Sequence, residues 1–430
     1  MKESSSIPTS KIARASKIVS TGIKVGGNYA KYYSKKLVGQ SSEEELNQDN
    51  AETLYSAFSE LKGSALKMAQ MLSMEGNVLP KEYQNQFQLA QYSAPPLSGP
   101  LVVRTFEKSL GQKPLTMFDS FDMKATNAAS IGQVHKATLN GKDLAVKIQY
   151  PGVADSITSD LRLIKPFALK YLKISEAEAA VYFKEVEEKL LEESDYLLEL
   201  QRSQLIREKC SHLKDVVLPE YFPNLSGNRV LTMSWLQGEH LSEWIKKPQS
   251  QEDKNKLGQS LWNFYMFQLH SLKMVQADPH PGNFLVLDNA KLGALDFGCV
   301  KEVPNDFYVS FSALLTDEVI NDKALFIHHL ELLQILLPDD NESARKFFID
   351  TFHQMISLLA RPFKFDSFNF ADKAYFNEII QTGYEVSKLT EAKKYKATRG
   401  SKHFLYVNRT FYGLYNLLHM LGSEIKVSWV

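Results

Sequence analysis

The chain reads Ala277-Asp278-Pro279-His280-Pro281-Gly282-Asn283 and, thirteen residues after Asn283, Asp296-Phe297-Gly298. Two short apolar runs, Phe284–Leu287 and Lys291–Leu295, lie between these segments, a pattern typical of a β-hairpin. A hairpin of this length returns Asp296 to the neighbourhood of Asn283. A carboxylate and a carboxamide together offer the oxygen ligands that Mg²⁺ prefers. The sequence therefore predicts a divalent-metal site formed by Asn283 and Asp296.

Asp278 lies on the same loop, five residues before Asn283. Protein kinases keep a carboxylate at this position relative to their metal-binding asparagine, where it orients the attacking hydroxyl group. An Asp-Phe-Gly tripeptide by itself is a common turn and indicates little. The interpretation of this loop as catalytic therefore depends on a phosphate-binding group elsewhere in the chain.

Lys147 is the candidate for that group, because it lies among apolar residues in a predicted strand. Upstream, Ala128-Ala129-Ser130 predicts a turn of small residues whose backbone amides can donate to phosphate oxygens. Asn140-Gly141 predicts a hairpin between two strands of this region. A lysine inside an apolar strand is costly unless it has an anionic partner. The alternative for Lys147 is an edge-strand lysine whose amine reaches solvent.

The order of Lys147, Asp278, Asn283 and Asp296 along the chain decides between these alternatives. Each residue alone has an ordinary structural explanation, but the four are hard to obtain by chance in this order. The set predicts a protein-kinase-like domain that binds ATP and Mg²⁺ as cofactors.

The predicted architecture is α+β, with strands in the middle of the chain and helices at both ends. Ser42 and Glu45 resemble a capping box before a helix over 51–75, and 176–209 resembles one long helix. We divide the chain into a basic N-terminal segment at 1–40, a helical extension at 41–100, a kinase-like N-lobe at 101–236 and a helical C-lobe at 237–430.

Composition restricts the class of protein further. The chain has 430 residues, of which 44% are apolar and 23% charged, as in ordinary globular proteins. Zero net charge gives no reason to expect nucleic acid as a partner. Two cysteines, Cys210 and Cys299, cannot form a disulfide framework, and no apolar stretch reaches the roughly 18 residues of a spanning helix. We expect a cytoplasmic protein, or one attached peripherally to the inner face of a membrane.

The first 40 residues contain eight Lys or Arg and one acid, Glu3. Apolar residues at Ile12, Ile18 and Val19 recur at near-helical spacing, which is typical of a cationic amphipathic helix. Such a helix can lie on an anionic membrane surface. The alternative is a helix packed on its own domain with its basic face in solvent.

Over most of its length the sequence resembles the UbiB/AarF (ADCK) family of atypical kinases. The segment 277–283 is that family's most specific signature, and 127–135 resembles its alanine-rich loop. Lys67-Met68-Ala69-Gln70 is similar to the family's Lys-x-Gly-Gln motif. Glu193-Ser194-Asp195 matches its Glu-x-Asp motif, which Tyr196 and Glu199 continue.

The resemblance implies a role for each matching residue. Lys147 would hold the nucleotide phosphates, and Glu193 would be its ion-pair partner, with Asp195 in the same buried acidic cluster. Asp278 would occupy the catalytic-base position, while Asn283 and Asp296 would bind the metal ion. Cofactor contacts would come from the loop and from a family-specific helix that covers the site and limits access by protein substrates; these residues are Ala128, Ala129, Ser130, Lys67 and Gln70.

The family's function implies an ATP-dependent phosphotransferase or ATPase that supports ubiquinone-type isoprenoid-quinone biosynthesis or lipid homeostasis at a membrane surface. Its partners would be quinone precursor lipids and quinone-biosynthesis proteins. Departures from the family pattern, Ala69, Asn127 and Ser234, concern the activity rather than the fold. Two alternatives remain: a catalytically idle pseudokinase acting as a scaffold or lipid chaperone, and an ordinary protein kinase.

Overall fold

The computed structural model describes residues 11–36, 42–61, 63, 65, 81–88, 96–128, 131–172, 176–388 and 399–427. The chain divides into two units. The first comprises Met1–Gln201 and Glu220–Trp235, and the second comprises Arg202–Pro219 and Leu236–Val430. The segment Arg202–Pro219 belongs to the second unit, although it falls inside the predicted 101–236 block. The division into four blocks stays a prediction.

The described α-helices are numbered in chain order. They are α1 (Lys11–Lys36), α2 (Glu43–Leu61), α3 (Lys81–Gln88), α4 (Gly99–Leu110), α5 (Pro114–Met117), α6 (Val153–Leu172), α7 (Glu176–Glu193), α8 (Tyr196–Lys209), α9 (Leu241–Trp244), α10 (Gln251–Phe267), α11 (Asn305–Leu314), α12 (Asp317–Asn321), α13 (Lys323–Leu332), α14 (Glu342–Ala360), α15 (Lys373–Lys388) and α16 (Lys402–Leu421).

The described strands are numbered in the same way. They are β1 (Ser120–Phe121), β2 (Asn127–Ala128), β3 (Gly132–Leu139), β4 (Lys142–Gln149), β5 (Val216–Val217), β6 (Val230–Ser234), β7 (Glu239–His240), β8 (Met274–Gln276), β9 (Phe284–Leu287), β10 (Lys291–Ala294), β11 (Val300–Glu302), β12 (Ser367–Asn369) and β13 (Glu424–Lys426).

An antiparallel sheet of order β1-β3-β4-β6, with β2 also paired to β3, forms the core of the first unit. Asn140 and Gly141 connect β3 to β4 with φ angles of 51° and 74°. Two left-handed residues in succession make the turn that suits a two-residue hairpin, so the predicted hairpin is confirmed. Strand β4 pairs with β3 on one side and with β6 on the other. Lys147 therefore lies in a central strand, and the edge-strand alternative is wrong.

The predicted single helix over 176–209 is broken into α7 and α8. Ser194 and Asp195 separate the two helices, and the Asp195 carboxylate accepts hydrogen bonds from the backbone N–H groups of Leu197 and Leu198 at 3.1 and 3.0 Å. A carboxylate at this position satisfies amides that have no partner within the new helix. The side chain of Asp195 is exposed, so the predicted buried cluster of Glu193 and Asp195 is not formed.

A helical layer of α1, α2, α3, α6 and α7 has its own apolar core in the first unit. The backbone N–H of Glu45 donates to Ser42 Oγ at 3.1 Å, which confirms Ser42 as the predicted helix cap. The helix begins at Glu43, eight residues before the predicted start at 51. The described part of that helix ends at Leu61. Residues 66–80 of the predicted helical extension lie outside the described residues.

The second unit is largely helical after residue 303, as predicted, around a core that contains Trp262, Phe264 and Tyr415. Its main sheet has the order β5-β10-β9-β7, and two small ribbons pair β8 with β11 and β12 with β13. Strands β12 and β13 interrupt the predicted helical region. They have three residues each and lie far apart in sequence, so periodicity could not indicate them.

Candidate functional site

Lys147 forms the buried ion pair of the first unit's sheet. Its Nζ donates to both carboxylate oxygens of Glu199, at 2.8 and 3.0 Å. The lysine side chain is 12% exposed and the glutamate side chain 1% exposed. The same Nζ lies 5.1 Å from the centre of the Tyr196 ring, a distance at which a cation is attracted to the ring face. The apolar strand thus keeps a charged lysine because α8 supplies both partners.

Glu199 therefore takes the role that the resemblance gave to Glu193. Glu193 is the last residue of α7, and its carboxylate lies 4.0 Å from Lys189 Nζ. The helix break at Ser194 and Asp195 starts a new helix, whose first turn carries Tyr196 and Glu199. Glu199 lies within the matching motif, but the sequence indicated no role for it, because 176–209 resembles one continuous helix.

Gly132 allows α8 to approach the sheet. A Cβ at this position would lie 2.6 Å from the Tyr196 hydroxyl and 2.8 Å from the carbonyl oxygen of Ile148. Both distances are too short for carbon, so only glycine fits between β3, β4 and Tyr196. The sequence alone did not indicate this role, because Ile148 and Tyr196 lie far from Gly132 along the chain.

The predicted cofactor loop is described only in part. Asn127 and Ala128 form β2, which pairs with Val134 and Gln133 of β3. Ala129 and Ser130 lie outside the described residues, as do Lys67 and Gln70. The roles predicted for these four residues stay predictions.

The β9–β10 hairpin of the second unit brings the two predicted metal ligands, Asn283 and Asp296, close to each other. Ala294 pairs with Phe284, and the Leu295 N–H donates to the carbonyl oxygen of Asn283 at 3.0 Å. The prediction that this hairpin returns Asp296 to the neighbourhood of Asn283 is confirmed.

Hydrogen bonds orient both side chains. Asn283 Nδ2 donates to the carbonyl oxygen of Asp278 at 2.9 Å, which leaves the amide oxygen as the group that can bind a cation. The Asp296 carboxylate accepts the Gly298 N–H at 2.8 Å through one oxygen. Asn283 and Asp296 are both partly exposed.

This donor set fits Mg²⁺. The cation prefers oxygen ligands and usually retains water and substrate phosphate oxygens, so it needs only one or two protein groups. Within the described ranges, no group of three or more His, Cys, Asp or Glu side chains could hold a metal ion. An all-protein cage of the zinc type is thus not seen in the described part of the chain.

Gln276 connects the candidate metal-binding segment to the core. Its side-chain Nε2 donates to the carbonyl oxygen of Asp296, and its Oε1 accepts the Tyr265 hydroxyl at 2.9 Å. Burial, with smaller contributions from Asp278 and Cys299, raises the pKa of Tyr265 well above its ordinary value. The hydroxyl therefore remains a donor, which turns the Gln276 amide nitrogen towards Asp296. The sequence alone did not indicate Gln276, since a polar residue before the motif has no distinguishing pattern.

Helix α16 supports the loop from another direction. A Cβ on Gly413 would lie 2.2 Å from Pro279 Cγ, so the helix backbone touches the residue after Asp278. Gly413 belongs to the second unit's long C-terminal helix and has no turn or unusual φ to explain it. Its role is to allow close packing against the loop.

Three comparisons with known proteins agree with this fold. The ABC1 atypical kinase-like domain matches residues 89–330. Probable serine/threonine-protein kinase abkA of Dictyostelium discoideum is 28% identical over 415 residues, 90% of this chain and 71% of the relative. Atypical kinase COQ8, mitochondrial, of Saccharomyces cerevisiae is 31% identical over 393 residues, 88% of this chain and 76% of the relative.

A solved structure of Rv3197 from Mycobacterium tuberculosis, in complex with erythromycin, has a similar fold. Its TM-score is 0.60 at 24% sequence identity, over 89% of this chain and 94% of that chain. At this identity the likeness concerns the fold alone. Together with the domain match, it confirms the predicted α+β, kinase-like fold class.

Proposed function

The chain belongs to the ABC1 atypical kinase-like family, also called UbiB, and on that premise we propose that it binds Mg-ATP and transfers or hydrolyses the terminal phosphoryl group. The observation that carries the proposal is the buried pair of Lys147 and Glu199 in a central strand. A charged lysine held in this way is ready to exchange part of its contact with carboxylate for contact with phosphate.

The proposed roles follow from the geometry of each unit. Lys147 binds the phosphates and Glu199 keeps its amine charged and oriented. Asn283 and Asp296 hold Mg²⁺, which supplies neutralisation of phosphate charge when it is bound. Asp278, on the loop fixed by Asn283 and Pro279, orients the attacking hydroxyl group or water.

The remaining predicted residues keep their proposed places around the nucleotide. Ala128, Ala129 and Ser130 form the loop over the phosphates. Lys67 and Gln70 belong to the covering helix that the family resemblance implies, and Glu193 is proposed as an acidic counter-charge for Lys67.

We propose that this activity supports isoprenoid-quinone biosynthesis and acts on a small molecule or lipid of that process. The relatives include an atypical kinase named COQ8, and isoprenoid quinones are apolar molecules that reside in membranes, so the reaction belongs at a membrane surface. Peptide substrates fit less well, because only eight residues lie between Asp296 and the start of α11 at Asn305. That length leaves little room for a peptide-docking activation segment.

Steady-state ATP hydrolysis with Mg²⁺ tests the proposal, using the full chain beside Asp296→Asn and Lys147→Met. We expect each variant to lose turnover by about 100-fold or more, as removal of a charge-stabilising group does in other enzymes. Lys142→Met is the matched control, because this lysine lies on the same strand with an exposed side chain.

The same experiment addresses the idle-pseudokinase alternative. Tight nucleotide binding without turnover, with vesicles and quinone precursors present, would favour a scaffold or lipid chaperone. Turnover that persists in Asp296→Asn would show that the metal assignment is wrong.

A further inference from the structure

Two polar side chains of β3 are wholly buried. Gln133 and His135 are both 0% exposed. They are two positions apart in a strand, so their side chains lie on the same face of the sheet. Gln133 Nε2 lies 2.8 Å from His135 Nε2, within hydrogen-bond distance. Polar groups at this depth are found where their hydrogen bonds are satisfied, so the partners of both side chains need to be identified.

Neighbouring backbone groups decide which atoms carry the protons. His135 Nδ1 lies 2.7 Å from the carbonyl oxygen of Asp122, which can only accept, so the proton of the neutral ring is on Nδ1. His135 Nε2 is then an acceptor, and the Gln133 amide donates to it. Gln133 Oε1 accepts the Leu97 N–H at 2.7 Å. We call this chain of hydrogen bonds, formed by Leu97, Gln133, His135 and Asp122, the Gln133 network.

The surroundings of His135 keep its ring neutral, as the network requires. The ring stacks on Phe121 with the two ring centres 5.0 Å apart. Burial lowers the pKa of His135 below its ordinary value, although the carbonyl group and the charge of Asp122 act in the opposite direction. A second proton, on Nε2, would face the amide hydrogens of Gln133. The neutral ring is therefore the form that fits the network.

The Gln133 network lies at the end of the predicted cofactor loop. Gln133 pairs with Ala128 of β2, so this pair closes the segment between the two strands. On its other side β3 pairs with β4, where Val134 lies opposite Lys147. Successive side chains of a strand point to opposite faces. The network therefore holds β3 from the face opposite to Lys147.

A contribution to stability alone does not explain the Gln133 network. Apolar side chains of the same shape can replace a buried hydrogen-bonded pair with little or no loss of stability, whereas a fully satisfied polar network specifies one geometry. Three separate segments of the chain meet in the network, at 97, 122 and 133–135. They meet beside the pair of Ala128 and Gln133, so the hydrogen bonds fix the position of the strand where the loop ends.

We propose that Gln133 and His135 are positioning residues for the nucleotide phosphates, because they fix the end of the predicted cofactor loop at the pair of Ala128 and Gln133. Neither side chain contacts the nucleotide, and both act through the backbone amides of the loop. This role rests on the proposed function for its ligand and on the hydrogen bonds of the first unit for its geometry.

Two substitutions of His135 separate positioning from packing, since each keeps one of its two hydrogen bonds. The amide nitrogen of Asn is as many bonds from Cα as Nδ1 is, so His135→Asn keeps the donor to Asp122 and loses the contact with Gln133. The amide of Gln reaches the position of Nε2, so His135→Gln keeps an acceptor for Gln133 and loses the contact with Asp122. Both variants should lower the melting temperature, because each removes one buried hydrogen bond.

Hydrogen exchange of the full chain measures the loop without nucleotide. In His135→Asn and Gln133→Met we expect the amides of residues 128–133 to exchange about tenfold faster than in the parent, the effect of one lost hydrogen bond on local opening. In His135→Gln the same amides should exchange at close to the parent rate. Parent-like exchange in His135→Asn would overturn the positioning role, and so would equal acceleration in the two His135 variants.

A titration with ATP measures the consequence for the phosphates. His135→Asn and Gln133→Met should raise the Kd for ATP about tenfold, while turnover at saturating ATP changes less because Lys147 is intact. His135→Gln should bind ATP like the parent. Thr232→Val is the control for lost stability, since its buried hydroxyl donates to the Leu225 carbonyl oxygen at 2.6 Å, away from the network. Its Kd for ATP should equal that of the parent.

The two measurements distinguish the ways in which the proposal can fail. A parent protein that binds no ATP would overturn the proposed function and the phosphate role together, and the exchange rates would still decide whether Gln133 and His135 fix the loop. An unchanged Kd in His135→Asn, with ATP binding by the parent intact, would overturn the phosphate role alone.

Discussion

The carboxylate of Glu199 is almost wholly removed from solvent and has Lys147 as a partner. Removal of one charge from such a pair leaves the other buried without compensation, at a cost of about 3–5 kcal/mol. We therefore expect Glu199→Gln to lower both the free energy of unfolding and the affinity for nucleotide. Urea denaturation and a nucleotide-binding titration measure the two effects.

Glu193→Gln is the comparison variant for this prediction, because it changes the same type of residue six positions earlier. It should weaken nucleotide binding less than Glu199→Gln. The reverse order would restore Glu193 as the functional partner of Lys147.

Gln276 is the second residue with a specific expected effect. Gln276→Met keeps the volume but removes the donor to the Asp296 carbonyl oxygen. We expect the Mg²⁺ concentration for half-maximal turnover to rise several-fold, because the backbone of Asp296, the proposed metal ligand, loses a hydrogen bond that holds it in place. A role in stability alone would leave that concentration unchanged while lowering the melting temperature.

Tyr265→Phe separates the two halves of this connection. It removes only the hydroxyl that donates to Gln276 Oε1 and leaves the amide donor to Asp296 in place. We expect a smaller rise in the Mg²⁺ requirement than Gln276→Met causes, because the amide loses the hydroxyl that orients it but keeps its own donor. A Mg²⁺ requirement equal to that of the parent would show that the orientation of the amide does not depend on the tyrosine.

At the scale of elements, helix α16 and the loop that carries Asp278 touch through Gly413 and Pro279. Gly413→Ala introduces a methyl group 2.2 Å from the present position of Pro279 Cγ, which is too close for two carbon atoms. The loop must move, so turnover should fall by at least about tenfold while nucleotide affinity changes less. Gly383→Ala is the control, since a Cβ on that helical glycine meets nothing within 4 Å. Equal activity of the two variants would exclude this packing role.

Elements with strong local signals were predictable from the sequence. Asn140-Gly141 specifies its turn through two left-handed residues, and the β9–β10 hairpin follows from two apolar runs of matching length. The break between α7 and α8 was not predictable, because Asp195 in an acid-rich helical pattern looks the same whether it caps a helix or faces solvent. Because a new helix begins after this capping residue, the partner of Lys147 is Glu199 rather than Glu193.

For the whole molecule, the order of Lys147, Asp278, Asn283 and Asp296 was enough to predict the fold class, which the family match confirms. The supporting residues were not predictable, since Gly132, Gln276 and Gly413 act through contacts between segments distant in sequence. Among the helices that the structure describes, none is both long enough and apolar enough to cross a bilayer.

The path of the chain between the two units has a consequence for synthesis on the ribosome. Strand β5 lies between two parts of the first unit along the chain, but it belongs to the second unit. There it pairs with β10, so that Val216 and Val217 lie opposite Leu292 and Gly293. At about 5–20 residues per second, β5 emerges on the order of ten seconds before its partner exists. The first unit's sheet, complete once β6 has emerged, can fold during that interval, while an apolar dipeptide waits unpaired. The nascent chain therefore passes through a stage in which half of the protein is finished and one strand of the other half is exposed to chaperones.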